Sequence, residues 1–250
     1  MTENAATPQH TTTMPQSAMV LAAGLGTRMR PLTDDCPKPM IPVAGKPLID
    51  YTLDLFARAG VPRAVVNVHY LADQIEQHLE TRTTPEVIIS DERGLRLETG
   101  GGLVKALDHL DDDQFFCANT DAILSESDIS PCVQLAAKWN RSEMDALLLL
   151  CPIENTSGYP GRGDFTHDAE SHEIAFRGSA ERAPFVFTGL QIISRELVRE
   201  GPDGAFSTKL LWEKAAARGR LHGEIFSGFW MHVGDPDGLA SAERRLTLKG

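Results

Sequence analysis

The chain is organised around the stretch Met19-Val20-Leu21-Ala22-Ala23-Gly24-Leu25-Gly26-Thr27-Arg28-Met29-Arg30-Pro31-Leu32-Thr33 and the Pro37-Lys38-Pro39 that follows it. It begins as a short apolar run, which is typical of a buried strand. The two glycines then allow positive φ and leave room for a ligand. Exposed N–H groups in such a loop form an anion-binding concavity. A hydroxyl and three cations add to it at Thr27, Arg28, Arg30 and Lys38. The stretch therefore predicts a polyphosphate site.

Two familiar phosphate-binding patterns do not fit this loop. A Walker A loop requires Gly-Lys-Ser/Thr at a set distance from its first glycine, and none follows here. Met29 occupies the third glycine position of the dinucleotide fingerprint, which disfavours a nicotinamide-dependent oxidoreductase. The remaining alternative is an ordinary strand-to-loop turn with surface arginines. The clustering of glycines, arginines and Lys38 in one short segment favours the phosphate site.

Length and composition indicate a globular protein with one large domain. The chain has 250 residues, of which 42% are hydrophobic and 24% charged, and its net charge is −11. That charge argues against a surface for nucleic acid or anionic membrane. Four cysteines show neither C-x-x-C pairing nor zinc spacing. Residues 1–17 lack the apolar core of a signal peptide, so we expect a disordered tail, a single domain over residues 18–250 and a cytoplasmic location. No oligomeric state is indicated.

Strand and helix patterns alternate along the chain, which predicts an α/β fold. A mostly parallel sheet covered by helices on both faces follows from that order. From Asp164 to Arg177 the pattern changes to a hairpin, which predicts a β-rich insertion. The predicted strands are 64–68, 86–90, 115–118, 145–150, 185–193 (interrupted at Thr188-Gly189) and one strand or a pair within 224–233. The predicted helices are 47–60, 71–80, one from the glycines at 100–102 to 110, one capped by Asp128 or Ser130 and ending near 139, 207–218 and 236–248.

Two further segments contain candidate site residues. One follows a predicted strand, and the other precedes a predicted helix. Asp121 ends Asn119-Thr120-Asp121, directly after the strand at Phe115. Ligands of open parallel sheets bind beyond the carboxyl ends of the strands, so this segment and the glycine loop can share one crevice. Asp121 is then either a turn cap or a magnesium ligand, and the neighbouring phosphate loop favours magnesium. The glycines of Leu97–Gly102 suit either the approach of a nucleotide base or a plain loop-to-helix junction.

These motifs resemble those of the sugar-1-phosphate nucleotidyltransferases. The opening motif of that family, L-A-A-G-x-G-T/E-R-M/L-x-P-L-T and then P-K-P, is matched from Leu21 to Thr33 and from Pro37 to Pro39. L-E-T-G-G-G at 97–102, G-R-G-D-F at 161–165 and F-T-G at 187–189 are similar to the N-acetylmuramate-1-phosphate uridylyltransferases. The likeness extends from Ala18 to Glu243. It implies a three-layer, Rossmann-like fold of the nucleotide-diphospho-sugar transferase type, with the β-rich insertion on the sugar side.

The resemblance also implies roles for individual residues. It assigns the catalytic roles to Arg28, Lys38 and Asp121, with Asp121 also holding Mg²⁺. The implied nucleotide-binding residues are Leu21, Ala22, Ala23, Gly24, Gly26, Thr27, Arg28, Thr99, Gly100 and Gly101. The implied sugar-binding residues are Asn119, Gly163, Asp164 and Gly189.

The resemblance further implies the substrates. They are an NTP and a sugar 1-phosphate, first UTP with N-acetylmuramate 1-phosphate, in the recycling of cell-wall precursors. The alternatives are GTP with mannose or heptose 1-phosphate, or a protein that binds NTP without turnover.

One position departs from the family pattern. These enzymes end with W-x-D-V-G-T, whose aspartate is the second metal ligand, whereas this chain has Trp230-Met231-His232-Val233-Gly234-Asp235. Mg²⁺ prefers oxygen ligands, and the imidazole of His232 offers nitrogen. Either Asp235 replaces the missing carboxylate, directly or through water, or Asp121 and the substrate phosphates suffice.

Overall fold

The computed structural model describes residues 14–125 and 128–248. Its strands are β1 Ser17–Leu21, β2 Pro42–Val43, β3 Lys46–Pro47, β4 Arg63–Val68, β5 Glu86–Asp91, β6 Gln114–Asn119, β7 Ala122–Ser125, β8 Ala146–Pro152, β9 Thr156–Ser157, β10 Phe165–His167, β11 Ile174–Phe176, β12 Phe185–Ser194, β13 Leu221–Ile225 and β14 Phe229–His232. Its α-helices are α1 Leu48–Arg58, α2 Ala72–Leu79, α3 Glu98–Ala106, α4 Pro131–Lys138, α5 Arg195–Arg199, α6 Lys209–Ala216 and α7 Pro236–Thr247. Short 3₁₀ turns cover Thr27–Met29, Lys38–Met40, Leu107–His109 and Ile153–Asn155.

A mixed, mostly parallel sheet forms the centre of the fold, as predicted. Its strands lie in the order β5, β4, β1, β6, β12, β8 and β13, and β12 is the strand that runs opposite to its neighbours. The predicted interruption of β12 is present, because its register with β8 shifts between Phe187 and Gln191. The β10–β11 hairpin joins this sheet where Phe165 pairs with Phe185.

Helices cover both faces of the sheet, which confirms the three-layer prediction. Successive side chains of a strand point to opposite faces, so Val20 of β1 packs in the core beneath α1, α2 and α4. Met19, one residue earlier, packs in the core beneath α3, α5 and α6. Because both faces are buried, the central strands are continuous apolar runs rather than alternating ones.

Helix α1 shows how the local sequence sets an element. Pro47 precedes its first turn, a position where the missing proline N–H costs nothing. The buried side chains of Ile49, Leu53 and Phe56 recur at helical spacing and face the sheet. Gly60, at φ 77°, ends the segment in a left-handed conformation. The next strand, β4, begins at Arg63.

A second, smaller sheet lies beside the first. It orders β7, β14 and β9, and it packs with α7 around a separate core that contains Met29 and Met231. The segment predicted as one strand or a pair over 224–233 is therefore two strands in different sheets. The first of these, β13, already begins at Leu221.

Several predicted boundaries need correction. Ser17, expected in a disordered tail, is buried in β1, where its hydroxyl donates to Asp112 at 2.8 Å. The first thirteen residues of that tail lie outside the described part of the chain. Helix α3 begins at Glu98, so the three glycines lie inside the helix rather than before it. Helix α6 begins at Lys209, two residues after the predicted cap Ser207.

No helix of residues 14–125 and 128–248 combines the length and apolar character needed to cross a lipid bilayer.

Candidate active site

The carboxyl ends of β1, β4 and β6 open onto one cleft of about 450 Å³. Because these parallel strands are neighbours, their ends meet at one edge of the sheet and bring distant residues together. The cleft is lined by the glycine loop after β1, the Lys38 turn, the ends of β4 and β6, Gly234, and a wall formed by the start of α3 with Ser207.

The glycine loop has the predicted conformation. Gly26 is at φ 63°, and a Cβ there would lie 2.9 Å from both Lys38 Cβ and Thr33 Cγ2. The Thr33 hydroxyl donates to the Gly26 carbonyl at 2.8 Å and closes the loop. Gly24 has nothing within 4 Å of an added Cβ, so its backbone faces open space. Arg28, exposed in the cleft, makes no hydrogen bond or ion pair with the described residues. The loop therefore offers backbone and one uncommitted cation to an anion.

Lys38 and Asp121 form an ion pair across the cleft. Lys38 Nζ lies 2.9 Å from Asp121 Oδ2, and their side chains are 11% and 25% exposed. Burial acts to raise the pKa of Asp121, but the charges of Lys38, His232 and Arg28 outweigh it and lower that pKa. Asp121 is therefore an ionised carboxylate facing the cleft.

The backbone around Asp121 is tied to both sheets. The N–H of Val233 donates to the Asp121 carbonyl at 2.8 Å, which joins β14 to the end of β6. The hydroxyl of Thr120 donates to the Leu21 carbonyl at 3.1 Å, which joins the same segment to β1. These bonds fix the carboxylate relative to the glycine loop.

His232 and Asp235 have different surroundings from Asp121. The His232 ring stacks on Trp230, with centroids 5.4 Å apart. Its burial is the main cause that lowers its pKa, although Asp121 acts in the opposite direction. Asp235 is the N-cap of α7, where its carboxylate accepts the Gly238 N–H at 2.8 Å. Asp235 does not line the cleft, whereas Gly234 beside it does.

The wall at the start of α3 carries Arg96, Glu98 and Thr99 into the cleft. Glu98 adopts φ 58°, a left-handed conformation that is uncommon without glycine. Gly100 and Gly101 do not line the cleft. A Cβ at Gly100 would lie 2.3 Å from the Phe206 ring, and one at Gly101 would lie 2.2 Å from the Gly204 carbonyl. Packing of α3 against residues 204–206 accounts for the absence of a side chain at both glycines.

The predicted sugar-binding residues fall into two groups. Asn119 lines the cleft, and Gly189 lies against it, since a Cβ at Gly189 would be 3.1 Å from Asn119 Cβ. Gly163 and Asp164 lie in the insertion and do not line the cleft. The Asp164 carboxylate accepts the Phe187 N–H at 3.0 Å and the Tyr159 hydroxyl at 3.3 Å, which stabilises the insertion.

The cleft thus brings together most of the predicted site. Its lining includes the predicted residues Leu21, Ala23, Gly24, Gly26, Thr27, Arg28, Lys38, Thr99, Asn119 and Asp121. Ala22 is buried, and its N–H is bonded to Asn67. The site residues predicted from the sequence did not include seven others that line the cleft: Pro39, Asn67, Arg96, Glu98, Thr120, Ser207 and Gly234. Pro39, Glu98, Thr120 and Gly234 lie within motifs that the sequence analysis quotes, and Asn67 is the polar residue near the end of the apolar strand β4.

The side chains of the cleft can bind and position charged groups. No cysteine lines it, and burial raises the pKa of the Cys117 and Cys151 thiols to about 12. The cations of Arg28, Lys38 and Arg96 and the carboxylate of Asp121 line one cleft of nucleotide dimensions. This arrangement suits the binding and transfer of phosphoryl groups without a protein nucleophile.

Known proteins are similar to this chain in sequence and in fold. A family model described as nucleotidyl transferase matches residues 17–170. The chain is 46% identical to the N-acetylmuramate alpha-1-phosphate uridylyltransferase of Caulobacter vibrioides, over 93% of this chain and 97% of that protein. It is 34% identical to the protein of the same name from Neisseria meningitidis serogroup B, over 90% and 96%.

A solved structure agrees in fold. The inositol-1-phosphate CTP transferase from T. maritima matches with a TM-score of 0.78 at 19% identity, over 95% of this chain and 96% of that one. Together with the family match over more than half of the chain and the two full-length relatives, the cleft leads to one conclusion. The chain belongs to the nucleotidyl transferase family, among the sugar-1-phosphate nucleotidyltransferases.

Proposed function

We propose that this enzyme transfers a uridylyl group from UTP to N-acetylmuramate 1-phosphate and releases pyrophosphate. The observation that carries the proposal is the cleft in which the glycine loop, Lys38 and Asp121 meet. The two relatives that span the chain are named for this reaction, which supports the choice of substrates. The product suits a role in recycling cell-wall precursors in the cytoplasm.

The reaction forms one bond and breaks one. A phosphate oxygen of the sugar 1-phosphate attacks the α-phosphorus of UTP, and the bond from that phosphorus to the β-phosphate oxygen breaks. The electron pair leaves with pyrophosphate, so no proton transfer by a side chain is needed. Arg28 and the amides of the glycine loop hold the β- and γ-phosphates, and Lys38 neutralises charge at the reacting phosphates.

Asp121 suits a magnesium ion. Its ionised carboxylate faces the cleft, and Mg²⁺ usually takes one or two carboxylates and completes its shell with water and substrate phosphates. Asp235 is engaged at the N-terminus of α7, so Asp121 is the carboxylate that would hold the ion. When bound, the ion neutralises charge on the nucleotide phosphates.

A matrix of four NTPs and several sugar 1-phosphates, read by pyrophosphate release, tests the substrates. We expect turnover with UTP and N-acetylmuramate 1-phosphate to exceed every other combination. Preference for GTP with mannose or heptose 1-phosphate contradicts the proposed substrates. Nucleotide binding without pyrophosphate release from any pair indicates a sensing protein instead.

Magnesium titrations test the role of Asp121. We expect Asp121→Asn to lose nearly all turnover, because the remaining amide is a weak ligand for Mg²⁺. His232→Asp should stay active and need less magnesium, since it would add a second carboxylate near Asp121. Asp235→Asn should change the magnesium requirement little. An inactive His232→Asp together with a fully active Asp121→Asn contradicts this placement of the metal.

A further inference from the structure

Two buried polar side chains lie at the ends of neighbouring strands, and one of them, Asn67, lines the cleft. Asn67 is near the end of β4 and is 2% exposed, and Glu92 follows β5 and is 1% exposed. Glu92 has no cationic partner among residues 14–125 and 128–248. Burying a carboxylate without a counter-charge costs free energy, so the presence of Glu92 at this place calls for a physical reason.

Hydrogen bonds link this pair to both sides of the cleft. The Ala22 N–H of the glycine loop donates to Asn67 Oδ1 at 2.7 Å. Asn67 Nδ2 donates to Glu92 Oε1 at 2.8 Å. The Leu97 N–H, directly before α3, donates to Glu92 Oε2 at 3.2 Å. The pair therefore bridges the glycine loop to the opposite wall.

Helix α3 leaves room for this bridge at one position. A Cβ at Gly102 would lie 2.9 Å from both Asn67 Nδ2 and Glu92 Oε1. The backbone of Glu92 is itself held, because its N–H donates to the Val68 carbonyl at 2.8 Å. Its carbonyl also lies 2.7 Å from His69 Nδ1. Both ends of the bridge are thus anchored to strands or to a helix.

The bridge continues from α3 to residues 206–208 of the same wall. The Phe206 N–H donates to the Leu97 carbonyl at 3.2 Å. The Thr208 N–H donates to the Thr99 hydroxyl at 2.9 Å. Ser207, between those two residues, lines the cleft. One hydrogen-bonded path thus runs from the glycine loop to the far wall.

We propose that Asn67 and Glu92 are positioning residues that set the spacing between the glycine loop and the α3 wall, and so the fit of the NTP. Replacing a buried polar pair with apolar residues is often neutral or stabilising, so stability alone does not account for it. The pair acts through backbone groups: Ala22 orients the loop residues that face the phosphates, and Leu97 orients the residues that begin the wall. The inference rests on the proposed function only for the identity of the nucleotide.

Exchanging the donor and acceptor roles of Asn67 and Glu92 tests this proposal. Asn67→Asp places two carboxylate oxygens against each other, and Glu92→Gln places a donor against Asn67 Nδ2 or the Leu97 N–H. The double variant N67D/E92Q restores every partner, because the new amide donates to the new carboxylate and accepts from Leu97. Its net charge equals that of the wild type.

UTP affinity by calorimetry, KM for each substrate and Tm without ligand are the readouts. Each single variant should weaken UTP binding about tenfold or more, the range expected for an unsatisfied buried polar group. KM for the sugar phosphate should change little, and the double variant should regain UTP affinity to within about threefold. Asp145→Asn is the matched control, since Asp145, just before β8, forms a partly buried pair with Arg220, just before the edge strand β13 on the far side of the sheet.

Each outcome decides the proposal. Single variants that lower Tm as Asp145→Asn does, with UTP affinity unchanged, assign the pair a structural role only and overturn it. A double variant that remains weak or unfolded also overturns it. If the single variants do not fold, a folded double variant with wild-type UTP affinity supports it. If the wild type prefers another NTP, the proposed function is wrong instead. The affinities of the wild type and the variants are then measured with that nucleotide.

Discussion

Lys38 has surroundings that an ordinary lysine lacks. Its residue is 9% exposed, it belongs to the tight turn Lys38–Met40, and its ammonium is paired with Asp121. An ammonium removed from bulk water interacts strongly with charge that develops nearby. Lys38 is therefore placed to interact with charge in the cleft rather than to cover the surface.

Substitution of Lys38 is the first prediction. Lys38→Met keeps the buried stem and removes the charge, and we expect kcat/KM to fall by about a hundredfold or more while the fold is retained. Lys46→Met is the matched control, because it breaks another lysine–aspartate pair, with Asp54, that does not line the cleft. Steady-state kinetics and circular dichroism of both variants measure the effect. Equal activity in the two variants removes Lys38 from the mechanism.

His222 makes stability depend on pH. It is 6% exposed, its Nδ1 has no hydrogen-bond partner within the part of the chain that the structure describes, and burial lowers its pKa from the ordinary value of 6.5. Between the lowered pKa and 6.5 the unfolded chain holds more protons than the folded one, so stability is lost as pH falls. We expect Tm to drop less between about pH 7.5 and about pH 5.5 in His222→Gln than in the wild type.

Thermal melts at several pH values measure this effect. The exposed His109→Gln variant controls for the loss of an imidazole as such. A wild type and a His222→Gln variant that respond identically to acid contradict the assignment.

At the scale of elements, α3 owes its position to small residues. Its three glycines are buried, and each has a close neighbour where a side chain would begin. Glycine is a poor helix former, so packing compensates here for low propensity. The helix can then approach both the 204–206 segment and the Asn67–Glu92 pair.

Gly101→Ala is the element-scale prediction. The added Cβ would lie 2.2 Å from the Gly204 carbonyl, and overpacking of this kind lowers the free energy of unfolding by about 1–3 kcal/mol. Gly94→Ala, in the loop before α3, is the control, since nothing lies within 4 Å of its added Cβ. Chemical denaturation without nucleotide measures both variants. A Gly101→Ala variant of normal stability that no longer binds UTP would show that a base approaches this backbone.

On the scale of the whole molecule, the sheet organises both the cores and the site. Strand β1 is paired on both sides and covered on both faces, and the glycine loop leaves from its end. The cleft is therefore supported by the most buried part of the protein. The β10–β11 hairpin, in contrast, pairs with β12 at a single position within the described residues.

Hydrogen exchange tests this distribution of stability. We expect amides of β1, β4 and β6 to exchange most slowly, because they open only when the central sheet unfolds. Amides of β10 and β11 should exchange much faster, since local opening exposes them. Exchange monitored by mass spectrometry measures both sets. Equal protection of the hairpin and β1 contradicts this ordering.

The sequence by itself determined the fold class, the glycine loop and the strand-end position of Asp121. Apolar runs, alternation of strands with helices, and glycines beside cations are local patterns, and local physics suffices to interpret them. The interrupted strand β12 and the Asp164–Arg177 hairpin were also predictable from local residues.

The tertiary structure alone decided which loops share the cleft and which side chains lie between those loops. Asn67 and Glu92 are 25 positions apart, and Lys38 and Asp121 are 83 apart, so only the sheet order brings each pair into contact. The glycines of α3 had two interpretations, and only the tertiary structure reveals how closely Phe206 and Gly204 pack against them. Asp235 is likewise a helix cap because α7 begins there. Such contacts depend on the whole chain's path, which short-range sequence patterns do not specify.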